Sequence, residues 1–369
     1  MEVHMLTKRR KKLKILEALI AFVTTLCVIC VMYMGVVWIN IPGVAVLRDL
    51  WIETAMTTEE HQWLATSFFP KWLVDDVMSM QVRPGRIEVD LPTITPPNTS
   101  KPTPSPTPIP DILGQKNLTV GKKDSHGNKV LINDINEGIV ILEVKGNSYS
   151  GFLALIDDPS RVFVGTTNRK DVWGQVICDM MKSHDNAVLG INASGFQDPE
   201  GHGKGGNING LCFYGGKSWG TYMPNYSSIC LTYDNKLLVG DFSSWEKYNV
   251  RDGAQFYPCL ISKGKVVLGR GYGLQPRTII AQAENGVMMF LVVDGRALHS
   301  AGATYKQCAD ILLEYGAVTA AACDGGSSSV MGYKGKVLNI PSTPMKDTGR
   351  YLPNAFLVRS KAVQNVSEN

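Results

Sequence analysis

From Ala18 to Ile39 the chain reads ALIAFVTTLCVICVMYMGVVWI, twenty-two residues without a charge. At a helical rise of about 1.5 Å per residue this run spans roughly 30 Å, the hydrocarbon thickness of a bilayer. Lipid offers no partner to backbone N–H and C=O groups, so the run must be a helix. A cleaved signal peptide has a shorter apolar region, about 7–15 residues, closed by a small-x-small site. No clear site of that kind follows here, and a transmembrane signal anchor is expected over residues 15–41. Lys8, Arg9, Arg10, Lys11, Lys12 and Lys14 precede it. By the positive-inside rule residues 1–14 form a cytoplasmic basic tail, and everything after Ile41 is extracytoplasmic. That tail, with Glu2, carries +5 against a total of +4, which leaves the remainder at −1. A basic face is therefore not implied for the body of the protein, and no nucleic-acid partner is expected.

Residues 42–90 read as a membrane-proximal helical stalk, with Trp63, Leu64, Phe68 and Trp72 at partly helical spacing and Pro70 interrupting. Its tryptophans suit a membrane interface. Residues 91–116 are a Pro-rich linker, LPTITPPNTSKPTPSPTPIP at its centre, where proline removes backbone donors and large apolar residues are lacking. Such a stretch is extended and semi-rigid, and is expected to hold the next domain off the bilayer. From 117 to 360 short β-branched and apolar runs alternate with Gly, Asn and Asp (GIVILEVKG, GFLALIDD, SICLTYD, GVMMFLVVDG), the texture of strands. Residues 361–369 are a C-terminal tail.

Two segments have the helical period instead. Trp173, Val176, Ile177, Met180 and Met181 line one face of DVWGQVICDMMKSHD. In TYKQCADILLEYG, Thr304 and Gln307 have capping-box spacing, Cys308, Ile311, Leu312 and Tyr315 make a buried stripe, and Gly316 suits the C-terminal cap. The fold class is α+β, a strand-rich mixed-sheet domain with a few packed helices, tethered by one N-terminal transmembrane helix. The order strand to Asp294, helix from Thr304, strand to Asp324 favours parallel neighbouring strands, with both carboxylates at one sheet edge. Six cysteines lie outside the span, with no CxxC or zinc spacing. Disulfides and buried free thiols both remain open for them.

Three constellations carry candidate chemistry. In VVDGRALHSAGAT, Gly295 allows a turn that presents Asp294 and Arg296 on one rim, and the N–H groups near Thr304, Tyr305 and Lys306 form an anion seat at a helix start. A plain hairpin turn at DG is the alternative. In CDGGSSSVM, Gly325 and Gly326 let backbone approach a ligand, their N–H groups can form an anion nest, and Ser327, Ser328 and Ser329 add hydroxyls. A serine-rich turn is the bland reading, yet Asp324 at the end of TAAAC needs a partner for its charge, and Arg277 and Arg296 are candidates. Third, six glycines between Gly195 and Gly210 require a long loop. Asp198, Glu200, His202 and Asn207 there leave a divalent cation open, with solvated polarity as the competing reading. A Ser-His-Asp hydrolase using His202 or His299 lacks a GxSxG elbow to fix its serine.

INASGF, PRTIIAQ, VVDGRALHSAGAT and CDGGSSSVM, in this order and followed by PNAFLV, resemble the phosphodiester glycosidase family across roughly residues 129–359. The resemblance implies an enzyme that cleaves the glycosidic bond of sugar-1-phosphodiesters on a glycan or cell-envelope polymer, with no required cofactor. It assigns Asp324, Asp294, Arg277 and Arg296 to catalysis. Asn192, Ser300, Gly302, Thr304, Gly325, Gly326, Ser328 and Ser329 line the site, with Ser327 where the family more often has a third glycine. On this reading the arginines grip the departing phosphate, Asp324 activates water, and Asp294 orients an arginine. Trp219, Tyr222 and Tyr272 are candidate sugar platforms. The rival reading is a non-catalytic module that binds a polysaccharide or phosphodiester polymer at the cell surface.

Overall fold

The computed structural model describes residues 2–39, 41, 43–58, 61–79, 118–185, 187–241, 245–268 and 273–362. The 91–116 linker, the 361–369 tail beyond residue 362 and Tyr272 lie outside the described residues. Helix α1 runs Glu2–Trp38 and contains one stretch, Leu13–Trp38, long and apolar enough to cross a membrane, with a mean hydropathy of 2.5 and exposed side chains. Helices α2 (Val44–Met56), α3 (Trp63–Thr66) and α4 (Lys71–Ser79) follow. They share a small core of Ile52, Ala55, Ala65, Leu73, Val74 and Val77 with Val37 of α1.

The remaining chain is α+β. Its largest sheet has eight strands, in the spatial order Lys129–Asp134, Ile139–Lys145, Ser150–Ile156, Met288–Val293, Arg277–Ala283, Ala317–Ala322, Cys259–Ser262 and Lys265–Val266. Two five-stranded sheets complete the described strands. Alternation along each strand divides the large sheet's side chains. Ile280, Phe290 and Val292 face a core shared with Ile229 and Leu231 of the second sheet and Ile191 and Phe356 of the third. Ile279, Leu291 and Ala322 face the other way, against helix α6 (Tyr305–Glu314), which follows α5 (Ile177–Ser183) in the chain. Helix α5 covers the outer side of the third sheet.

Ladders among the described strands are antiparallel throughout, so the sheets are not mixed in direction. The strands ending before Asp294 and Asp324 do run the same way, but they are not neighbours. Arg277–Ala283 lies between them and pairs antiparallel with both. That strand is buried along its length, and its Thr278 and Gln282 side chains donate to Asn192 Oδ1 and Asn235 O.

Helix α6 has the expected capping box, with Gln307 N–H donating to Thr304 Oγ1 and the Thr304 N–H donating to Gln307 Oε1, and Gly316 at φ +80°. Helix α5 is shorter than its apolar period. Trp173 stays outside, because Gly174 abuts the Leu352 backbone and Gln175 exchanges backbone hydrogen bonds with Leu352. Tertiary pairing overrides a local period here. The cysteines are all free: Cys212, Cys230, Cys259, Cys308 and Cys323 are buried thiols and Cys178 is half-buried.

The stalk folds back. Thr54 Oγ1 accepts from Leu274 N–H at 3.0 Å, and Gln275 Nε2 donates to Thr54 O at 2.8 Å and to Thr57 Oγ1 at 3.1 Å. Gly273, at φ +48°, lies so close to α2 that a Cβ would come 2.5 Å from Thr54 N. Through these contacts α2 docks directly on the domain.

Candidate active site

Three strand ends meet at one edge of the large sheet. Arg277 pairs with Val293, and Ile279 with Ala322, so the start of one strand lies between the ends that deliver Asp294 and Asp324. The turn after Asp324 crosses over this point. Gly326 N–H donates to Pro276 O at 3.0 Å, and a Cβ on Gly325 would sit 3.0 Å from the same oxygen. Gly326 has φ +59°, and a Cβ there would lie 3.2 Å from an Arg296 guanidinium nitrogen. Glycine is needed at 326 for conformation and for close approach alike.

Asn192, fully buried at the end of its strand, ties the turn down. Its Nδ2 donates to Asp324 O at 2.6 Å, while its Oδ1 accepts from Thr278 Oγ1 at 2.8 Å and Val330 N–H at 3.1 Å. Asp324 N–H donates to Ala193 O at 2.8 Å. Asp324 is half-buried. Burial pushes its pKa up from 3.8 to about 7, against the opposing pull of a Ser328 hydrogen bond and the Arg350 charge, with Asp198 pushing the same way as burial.

Asp294 is also buried. Its Oδ1 accepts from Asn339 Nδ2 at 3.1 Å and Ile340 N–H at 3.0 Å, and its Oδ2 lies 3.1 Å from His299 Nε2. Its main-chain oxygen accepts from Ser300 Oγ at 2.6 Å. No arginine is among these partners, so Asp294 is not the orienter of one. Gln275 has that role: its Oε1 accepts from Arg296 Nε at 3.0 Å and from a terminal guanidinium nitrogen at 2.7 Å. Arg296, at φ +56°, is exposed on the rim. Arg277 points to the α6 side, buried, donating to Ala303 O and Gly273 O at 3.0 Å with its guanidinium 3.8 Å from the centre of the Tyr305 ring. Gly302 takes φ +119° where its chain packs on Gln275, and Ala303 exchanges backbone hydrogen bonds with Gln275.

Two expected anion seats are partly spent on the protein itself. The N–H groups of Gly326, Ser328 and Ser329 donate to Pro276 O, Gly325 O and Gly326 O. At α6 the Thr304 and Gln307 N–H groups serve the capping box. Ser329 Oγ, by contrast, is buried without a hydrogen-bond partner.

Arg350 and Asp198 were not recognised in the sequence as a pair. Arg350 forks onto both Asp198 oxygens at 2.5 and 2.7 Å and donates to Ser327 Oγ at 2.9 Å. Burial raises the Asp198 pKa, but the hydrogen bonds from Arg350 and Gly203 N–H, with the Arg350 charge, outweigh it and leave the pKa lowered. This is a different use of the glycine-rich loop from the two foreseen, cation binding or solvated polarity. The loop is pinned by Gln197 N–H to Asn207 O and Asn209 N–H to Gly195 O, and no cluster of three metal-binding side chains occurs among the described residues. The sugar platforms fare unevenly: Trp219 is packed in the core with its Nε1 on Asp171, and Tyr222 is half-buried.

The family the motifs pointed to is the one that matches. The model described as phosphodiester glycosidase fits residues 185–359, which include the strand edge, the glycine turn and Arg350. Among solved structures, the zebrafish N-acetylglucosamine-1-phosphodiester alpha-N-acetylglucosaminidase catalytic domain, auto-inhibited by its pro-peptide, is similar in fold. It has a TM-score of 0.51 at 18% identity, covering 66% of this chain and 87% of that one. The SPbeta prophage-derived uncharacterized protein YomE of Bacillus subtilis (strain 168) is 27% identical over 203 residues, 49% of this chain. The chain spans 29% of that relative's length.

Proposed function

We propose that this protein is a membrane-anchored hydrolase that cleaves the glycosidic bond of sugar-1-phosphodiesters, with the domain from residue 118 onward on the extracytoplasmic side. The observation that carries the reading is that Asp324 opens a glycine turn that packs against Arg296 and hydrogen-bonds Arg350 through Ser327, with burial raising the pKa of its carboxyl. A general base works best with a pKa near the operating pH. The basic residues Lys8 to Lys12, within α1 but ahead of its apolar stretch, support the orientation.

In the reaction, a water oxygen attacks C1 of the sugar as the C1–O bond breaks and its electron pair passes to the phosphate oxygen. Asp324 takes the water's proton. Phosphate is a weak base, so the departing oxygen needs charge stabilisation more than protonation. Arg296 on the rim, the Ser329 hydroxyl and the Ser327–Arg350 pair supply donors for the developing charge. Arg277 acts from behind, holding the 273 and 303 segments through its two backbone bonds. Asp294 is held by His299 and Asn339, and Asn339 also donates to the Ser329 main-chain oxygen. Ser300 braces the Asp294 main chain, and Gly302 packs against Gln275, the partner of Arg296.

The test is to incubate the full chain in detergent with a panel of sugar-1-phosphodiesters and assay free reducing sugar. Release by the wild type, with turnover lost and binding kept in Asp324→Asn, supports the enzyme. Binding by both proteins with release from neither favours a binding module.

A further inference from the structure

Helices α2 to α4 enclose a small apolar core, but they also bury a charge and expose several large apolar side chains. On α2 the buried face holds Arg48, whose guanidinium donates to Val36 O at 3.2 Å, one of the last carbonyls of α1. A cation there suits the negative end of the helix dipole. Elsewhere on α2, Val46 (60%), Leu47 (69%) and Trp51 (52%) are exposed, and Trp63, Phe68 and Trp72 of the following segment are each about half exposed. An apolar patch of this kind on a soluble domain marks a surface that binds something.

We propose that what covers this patch is the bilayer interface, so that α2 to α4 form a collar seated among the headgroups and upper acyl chains. The inference rests on reading α1 as a membrane span. The collar is continuous with that span: Tyr33 Oη donates to Phe68 O at 2.8 Å, and the Trp38 and Trp72 rings are 5.0 Å apart. Tyr33 is about 7.5 Å of helix below Trp38, and Phe68 lies at its level. Interfacial helices bury their apolar faces by about 5–10 Å, the same depth. Tryptophan is the side chain most at home there, with an apolar ring and one donor. The exposed Lys71–Asp75 pair on α4 then reaches headgroups or water. Further along α2, Thr54 and Thr57 bond Leu274 and Gln275, so the candidate site is tied to the collar.

The test uses the full chain in phosphatidylcholine vesicles containing a phosphatidylcholine with a diazirine near the top of one acyl chain. After irradiation, labelled peptides are mapped. Lipid adducts within residues 44–52 and 63–72 as well as within 13–38 are expected. Adducts confined to 13–38 overturn the collar and leave the anchor standing. Absence of adducts from 13–38 removes the anchor, and the collar with it.

Discussion

Replacing Asp324 by Asn tests the electrostatics of the site through stability, without any substrate. The wild-type carboxyl has its pKa pushed to about 7 from 3.8. The folded chain therefore holds a proton that the unfolded chain has already released. That stability is complete below the unfolded value and is lost as pH rises through the folded one. Between pH 5 and pH 8.5 the linkage amounts to about 2.7 kcal/mol for one group with these two pKa values. Asparagine has nearly the same shape and does not ionise, so the variant escapes this loss. Urea unfolding of both proteins in detergent at the two pH values should give a stability difference that moves by roughly 2–3 kcal/mol in favour of Asp324→Asn at the alkaline end. Shared pH effects cancel in that comparison. A difference that stays constant across the range would refute the claim that a half-buried, half-titrated carboxyl sits at the turn. A kcat/KM that rises to a plateau through about pH 7 is the kinetic counterpart, because the base must be ionised.

Other outcomes follow from the same geometry. Arg350→Met removes a forked pair and a serine contact, lowering stability by roughly 1.5–3 kcal/mol. It also shifts the rise of the pH–rate profile to higher pH, since the Arg350 charge holds the Asp324 pKa down. Asn192→Ala strips partners from Asp324 O, Thr278 Oγ1 and Val330 N–H, and thermal unfolding should report a loss of about 2–4 kcal/mol. Gly326→Ala forces a side chain into a left-handed conformation against Arg296. It should cost about 1–2 kcal/mol in urea unfolding and reduce substrate affinity. Of the six thiols outside α1, only half-buried Cys178 should react with an aqueous disulfide reagent before unfolding, because burial encloses the other five and raises the pKa of each.

Much of the site was legible because local chemistry dictated it. Thr304 with Gln307 announces a helix start wherever it occurs, and an aspartate between an alanine strand and two glycines announces a turn under constraint. The long apolar helix was readable from length and charge alone. What escaped was everything set by pairing between distant segments. The strand bearing Arg277 inserts between two strands that sequence order alone would make neighbours. Gln275, in the unpatterned LQPRT, becomes the partner of Arg296 only when the 294–303 segment folds against it. Arg350 meets Asp198 across 152 positions, and no local signal links them. The short reach of α5 has the same origin, since Gln175 answers to Leu352 rather than to its own helical period.

The central claim is that the C1–O bond of a sugar-1-phosphodiester is broken by water activated at Asp324. Turnover by the full chain in ¹⁸O-labelled water, followed by mass analysis of the released phosphomonoester, tests it most directly. The account predicts a phosphomonoester free of ¹⁸O, since the new oxygen enters the sugar. Label in the phosphate would place the cleavage at the P–O bond and contradict it.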